Sequence, residues 1–294
     1  LSGLNLLAPS WLLQRLIIFV TFFLTGLTAY RLVSRVSCEA GYFAGILYTV
    51  NPFTYVRFLS GQWANLLGYA LIPQAVLSFM RLLENGGRRS VVSYAFWLSL
   101  VTVFSPQMAL LASFACLILF IAYILSSRSP LALKLSLKHL ALAAIIYTAV
   151  NTYWLIPLLT AKDTVITNFT TVDAYVFSAK TMVQNIYFTI ASMHGFWRGG
   201  YQYTFNTIDG WQYLTLTFIA LSAVGFFYGP KLSGEKVYIY GFAACMLISA
   251  VFATGTSGVF KPLNLLLYEN LTLFRAFRDT HKFIALIILG YAYL

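Results

Sequence analysis

The sequence predicts an all-α fold: a polytopic bundle of transmembrane helices with about nine apolar segments, some broken or re-entrant, and an outer-side loop region. Three observations lead there. Hydrophobic residues make up 60% of the 294 residues and aromatics 17%, and the mean hydropathy is +0.78, outside the composition of soluble domains. Only 9% of residues are charged. The apolar runs, such as Leu12 to Tyr30, lack the period of two that a membrane β-barrel strand would show.

The apolar segments fall at about 11–31, 36–59, 64–82, 91–105, 108–126, 137–159, 211–229, 237–254 and 284–294. The second contains Asn51-Pro52. Proline lacks the backbone donor a helix needs, so a bend or break is expected there. Ser105-Pro-Gln107 splits the fourth from the fifth; joined, they would run about 54 Å, too long for one crossing of roughly 30 Å. Two helices and a tight turn are expected. The chain begins without methionine and ends inside an apolar run too short to cross a bilayer, so the expectation is a fragment of one membrane domain spanning 1–294.

If the loops alternate between sides, one side collects Arg31, Arg35, Arg81, Arg88, Arg89, Arg128, Lys134, Lys138, Lys231 and Lys236 against Glu39, Glu84 and Glu235. Excess Lys and Arg mark the cytoplasmic side. The outer side then receives Arg57, a loop at about 160–210 and a re-entrant or amphipathic segment at about 255–283. Both glycosylation triplets, Asn168-Phe-Thr and Asn270-Leu-Thr, fall with them.

The net charge of +11 does not point to nucleic acid, because the cations are spread over loops beside apolar segments. Cys38, Cys116 and Cys245 have no metal-ligand spacing and read as small core residues. No Walker A, His-Glu-x-x-His or Gly-x-Ser-x-Gly sequence is present, which argues against an ATPase, a zincin and an α/β-hydrolase. Carboxylates are nearly missing from the apolar segments, unlike the usual proton-driven transporter.

Three stretches remain as carriers of chemistry. The densest is Phe274-Arg-Ala-Phe-Arg-Asp-Thr-His-Lys-Phe283. On a helix Arg275, Arg278 and Lys282 would share one face, with Asp279 four residues after Arg275 and therefore expected to orient it. Guanidinium and ammonium groups there, with His281, suit a phosphate or pyrophosphate; the competing reading is a juxtamembrane anchor with cations snorkelling to headgroups. The second stretch, Asn51 to Trp63, offers Arg57 to an anion and Gln62 and Trp63 to a sugar or headgroup, or alternatively a turn and a member of the interfacial aromatic belt. The third is the aromatic loop His194-Gly-Phe-Trp-Arg-Gly-Gly200, where Trp197 can pack on a sugar face or simply hold the loop on the membrane. Asp163, Asp173 and Asp209 are scattered and form no acid/base pair. A divalent metal is compatible with the chain, but no ligand cluster is visible.

Phe274 to Phe283 ahead of an apolar helix resembles the Phe-Arg-x-x-His-Lys-Phe element of the large mycobacterial-type arabinofuranosyltransferases. Asn51-Pro-Phe to Gly61-Gln-Trp63 is similar to the matching stretch of prokaryotic, especially archaeal, polytopic proteins of the C-type glycosyltransferase superfamily. The resemblance implies transfer of a sugar from a polyprenyl-phosphate-linked donor to a saccharide or glycolipid acceptor on the outer face of the cell membrane, in contact with membrane lipid. It also implies Arg278, His281 and Lys282 as donor-phosphate contacts. The superfamily's catalytic carboxylate lies in a first outer loop that this sequence does not show, so no base is assigned. The competing expectations are a lipid-linked saccharide transporter or polymerase using the same cations, and a noncatalytic membrane protein whose two cationic stretches lie far apart and face lipid.

Overall fold

The computed structural model describes residues 8–127, 129–161, 164, 166–232 and 234–294, so Arg128 and Asp163 lie outside the described residues. Every described element is helical. The long helices are α1 (Ser10–Val33), α2 (Cys38–Thr49), α3 (Pro52–Leu59), α4 (Trp63–Asn85), α5 (Gly87–Phe104), α6 (Pro106–Ser127) and α7 (Pro130–Thr160). The short helices α8 (Thr171–Val176), α9 (Ile186–Ala191) and α10 (Thr204–Thr207) follow. The chain then runs through α11 (Trp211–Leu232), α12 (Lys236–Ala253), α13 (Lys261–Asn270), α14 (Thr272–Arg275) and α15 (Ile284–Tyr293), with a 3-10 turn at Thr280–Phe283 before α15. Helices fill each apolar segment, and six among the described residues are long and apolar enough to cross a membrane: α1, α4, α6, Leu133–Thr160 of α7, Trp211–Lys231 of α11, and α12. This is the architecture of a multi-pass membrane protein.

Both proline breaks occur where expected. Asn51 joins α2 to α3 by serving both ends: its Nδ2 donates to the Leu47 and Tyr48 carbonyls (2.9 and 3.0 Å), and its Oδ1 accepts from the Thr54 amide (2.9 Å). One side chain thus satisfies groups that both helix ends leave open. Ser105 plays a similar part before α6, its hydroxyl accepting from the Met108 amide at 3.3 Å.

Helix α4 is the central post. Within its most apolar window 89% of residues are buried, against 11% for α7 and for α11, so α4 meets protein on all sides while the other two present leucine and phenylalanine outward. It packs on α1, α5 and α6. Pro73 inside it cannot donate to the Tyr69 carbonyl; the Tyr48 hydroxyl donates there instead (3.3 Å), and Thr28 reaches the Ala70 carbonyl beside it (2.5 Å). Where α1 crosses α2, a Cβ on Gly45 would sit 3.0 Å from the Gly26 carbonyl oxygen, a small-residue contact of the kind that lets membrane helices approach closely.

Helix α15 is buried along its whole length, against α12, α2, α1 and α11. Its far end is tied through the Tyr293 hydroxyl to Glu235 (3.3 Å), which with Glu84 pairs to Arg35 (3.1 and 2.6 Å). Three turns whose cations the sequence groups on one side therefore meet at one end of the bundle. Cys116 and Cys245 are buried, as expected, but Cys38 is exposed because it opens α2 at the helix surface.

Candidate functional site

At the opposite end of α4, about 33 Å away at 1.5 Å per residue, the two cationic stretches meet. The cap at Asn51 starts α3 in a fixed direction, and Arg57, in its last turn, is fully buried. Its guanidinium bonds Asp279 twice (2.6 and 3.1 Å), the Gln62 side-chain oxygen (2.6 Å) and Nδ1 of His281 (2.9 Å). Phe53 and Phe196 cover its two faces, at 5.2 and 4.8 Å. These are the charge-assisted hydrogen bonds and ring contacts that a guanidinium makes away from water.

The expected single helical face through residues 275–282 does not form. Helix α14 ends at Arg275, the chain turns, and Asp279 takes a non-helical conformation (φ −83°, ψ 84°) before the 3-10 turn. The three cations splay. Arg275 is not oriented by Asp279, whose carboxylate faces Arg57; it donates instead to the carbonyls of Tyr268 and Glu269 (both 3.1 Å). Arg278 lies between the Phe169 and Phe177 rings (4.1 Å each) and pairs with Asp173 (3.3 Å). Lys282 hydrogen bonds the Gln107 side-chain oxygen and stands 3.8 Å from Asp279.

The protonation states follow from these partners. Burial would raise the Asp279 carboxyl, but Arg57 and Lys282 overcome that and hold it down at about 2. Burial pulls Lys282 down to about 8 despite Asp279. His281 is pushed well below its ordinary value by burial and then by the Arg57 charge. A guanidinium only donates, so Nδ1 of His281 accepts and the ring proton sits on Nε2, which is buried without a hydrogen-bond partner. With His281 neutral, Arg57, Lys282 and Asp279 leave the centre one positive charge in excess.

The aromatic loop is the lid of this centre. Phe196 packs edge-on to His281 (5.5 Å), and Trp197 meets Phe177 edge-to-face (4.6 Å) and Phe196 at a tilt (5.5 Å). Trp197 is therefore a neighbour of the Arg278 sandwich. His194 holds the loop: Nδ1 donates to the Ser192 carbonyl (2.7 Å) and Nε2 accepts from the Thr204 hydroxyl (2.6 Å), with burial lowering its pKa to about 4. Trp63 is half-buried and donates to the Phe58 carbonyl (3.3 Å), while Gln62 is occupied by Arg57 and by Asn65 (3.1 Å).

On the apolar side of the same segment lies a groove of about 530 Å³. Phe274, Phe277 and Phe283 form one wall, and Leu110, Leu111 and Phe114 of α6 another. Gln107 precedes those three by three, four and seven positions, so it shares their helix face. The Lys282–Gln107 pair lies beside the groove without lining it: Lys282 precedes the wall residue Phe283, and Gln107 is one turn from Leu110 and Leu111. Gln107 also donates to the Ala276 carbonyl (2.8 Å), fixing the segment to α6.

The sequence reading missed Gln107, Phe196 and the partnerships of Asp279 and Asp173. A glutamine opening an otherwise apolar helix was the available signal for the first; nothing local signals the others. Among the described residues no three His, Cys, Asp or Glu side chains gather as a metal site. Comparison with protein-family models, curated proteins and solved structures finds no match for this chain.

Proposed function

We propose that this protein is a membrane glycosyltransferase of the C type, moving a sugar from a polyprenyl-phosphate donor to an acceptor at the outer face of the membrane. The observation that carries the reading is the buried centre of Arg57, Asp279, His281 and Lys282, with Lys282 next in the chain to Phe283, a wall of the groove between α6 and the Phe274–Phe283 segment. An isoprenoid chain suits a wall of Leu and Phe, and its phosphate suits a buried ammonium in a centre with excess positive charge. Orientation follows the positive-inside bias, with the Arg35 end cytoplasmic.

In this reading Lys282 contacts the donor phosphate, and Arg275 and Arg278 flank it. Arg57 and His281 act through Asp279 and the 3-10 turn, as positioning residues. The acceptor hydroxyl attacks the anomeric carbon and gives up its proton to water, the bond from that carbon to the phosphate oxygen breaks, and the leaving phosphate is stabilised by cations already in place. The convergence of both cationic stretches on one buried centre is the reverse of what a noncatalytic protein with lipid-facing cations would show.

The test is sugar transfer by the full-length protein. Lys282→Ala and Arg278→Ala should lower kcat more than they raise KM, since the charge they answer develops in the transition state. Transfer at the wild-type rate in both variants contradicts the assignment.

A further inference from the structure

Helix α13 is amphipathic in the inverted sense. Its inward face carries polar groups: Asn264 and Tyr268, one turn apart, are each only 3% exposed. Its outward face carries Leu263 and Leu266, the latter 58% exposed, and turns polar only at Glu269 and Asn270. A helix facing water would have the opposite arrangement. Helix α8, packed beside it, also turns apolar side chains outward, with exposed Val172 and Val176. Beyond α13 the exposed Leu271 and Leu273 continue the apolar surface to the groove.

The position of α13 identifies what covers this face. Asn264 Nδ2 donates to the Val251 carbonyl (3.3 Å), in the last turn of the candidate membrane span α12, and to the Phe260 carbonyl (3.2 Å). The helix is thereby fastened at the level where α12 leaves the hydrocarbon, and its leucines continue the exposed apolar surface of the spans, which includes Leu247 and Ile248 of α12. Lys261, lying over the Tyr175 ring at 5.0 Å, and Arg275 stand at its two ends, where long cationic side chains reach headgroups.

We propose that α13, with α8, lies in the plane of the membrane interface and buries Leu263, Leu266, Val172 and Val176 in the hydrocarbon edge of the bilayer. The occupant of the apolar face is lipid, and the proposal does not rest on the transferase reading.

The test is spin labelling of the full chain in liposomes of phosphatidylcholine and phosphatidylglycerol. Cys38→Ser removes the exposed thiol, leaving Cys116 and Cys245 buried, and labels go on Leu263→Cys, Leu266→Cys and, for comparison, the exposed loop position Arg198→Cys. Labels at 263 and 266 should collide with oxygen at least threefold more than with a water-soluble nickel chelate, and the label at 198 should show the reverse. Chelate access at 263 and 266 equal to that at 198 overturns the proposal. Exclusion of both reagents also overturns it and assigns the face to a second copy of the chain. On the unsubstituted protein, a lipid-dissolved diazirine should tag the 261–273 segment; an untagged segment is equally fatal.

Discussion

Arg57 and Asp279 stand 222 residues apart in the chain and form a two-point ion pair at 2.6 and 3.1 Å, with the arginine wholly buried. This pair joins the Asn51-capped helix to the turn before α15. It also removes Arg57 from direct service to an anion and leaves Lys282 as the cation of that centre with only a loose carboxylate contact, at 3.8 Å.

Removing one partner strands the other charge in a dry site, at a cost of about 3–5 kcal/mol, whereas replacing both by apolar groups is often neutral. Arg57→Leu and Asp279→Leu should each lower the melting temperature in detergent substantially, and the double variant should recover most of the loss. Additive losses in the double variant would show that the pair does not couple.

Acid should loosen this end of the protein in two stages. The folded-state pKa values of His281 and His194 lie below the ordinary 6.5, so in that range the unfolded chain binds more protons and stability falls as pH drops below about 6.5. Asp279 contributes stability that is present above its ordinary 3.8 and is lost as pH falls through about 2. Chemical denaturation between pH 7 and 4.5 should give a shallower pH slope for His281→Asn than for wild type. Parallel curves would contradict the neutral, buried imidazole.

Phe196 covers both Arg57 and His281. Phe196→Ala should cost about 3–5 kcal/mol and admit water to the centre. Diethylpyrocarbonate should then modify His281, which is protected in wild type; continued protection would assign the lid to other residues.

Gly255 has φ +56°, and a Cβ there would meet Ser178 Oγ at 2.2 Å and Thr280 Oγ1 at 2.6 Å. Thr280 in turn accepts from the Ala179 amide at 3.2 Å. Gly255→Ala should therefore cost at least about 1–3 kcal/mol and speed proteolysis around residues 177–180. Unchanged melting and cleavage would mean that the loop is held elsewhere.

The helices were legible because apolar run length and the two proline breaks are local signals: Asn51-Pro52 and Ser105-Pro106 separate helices where proline's missing donor and the length of the apolar run call for a break. The cationic stretches were legible too, because charge is rare in such a sequence. Their partners were not. Treating 274–283 as one helix put Asp279 beside Arg275 at i, i+4, but the turn that Asp279 makes depends on Arg57, which no spacing within that stretch reveals. Gln107 looked like part of a turn until α6 placed it one turn from Leu110 and Leu111. Phe196 had the composition of an interfacial loop residue, and only the fold brings it over Arg57.

The most direct test of the account is equilibrium binding, in lipid nanodiscs, of a polyprenyl phosphate and of the polyprenol of the same length. The phosphate should bind at least about tenfold more tightly, a difference of about 1.4 kcal/mol, and Lys282→Met should abolish that preference while leaving polyprenol binding unchanged. Equal affinity of wild type for the two lipids, or an undiminished preference in Lys282→Met, would contradict the assignment of the groove and the neighbouring Lys282 to a lipid-linked phosphate.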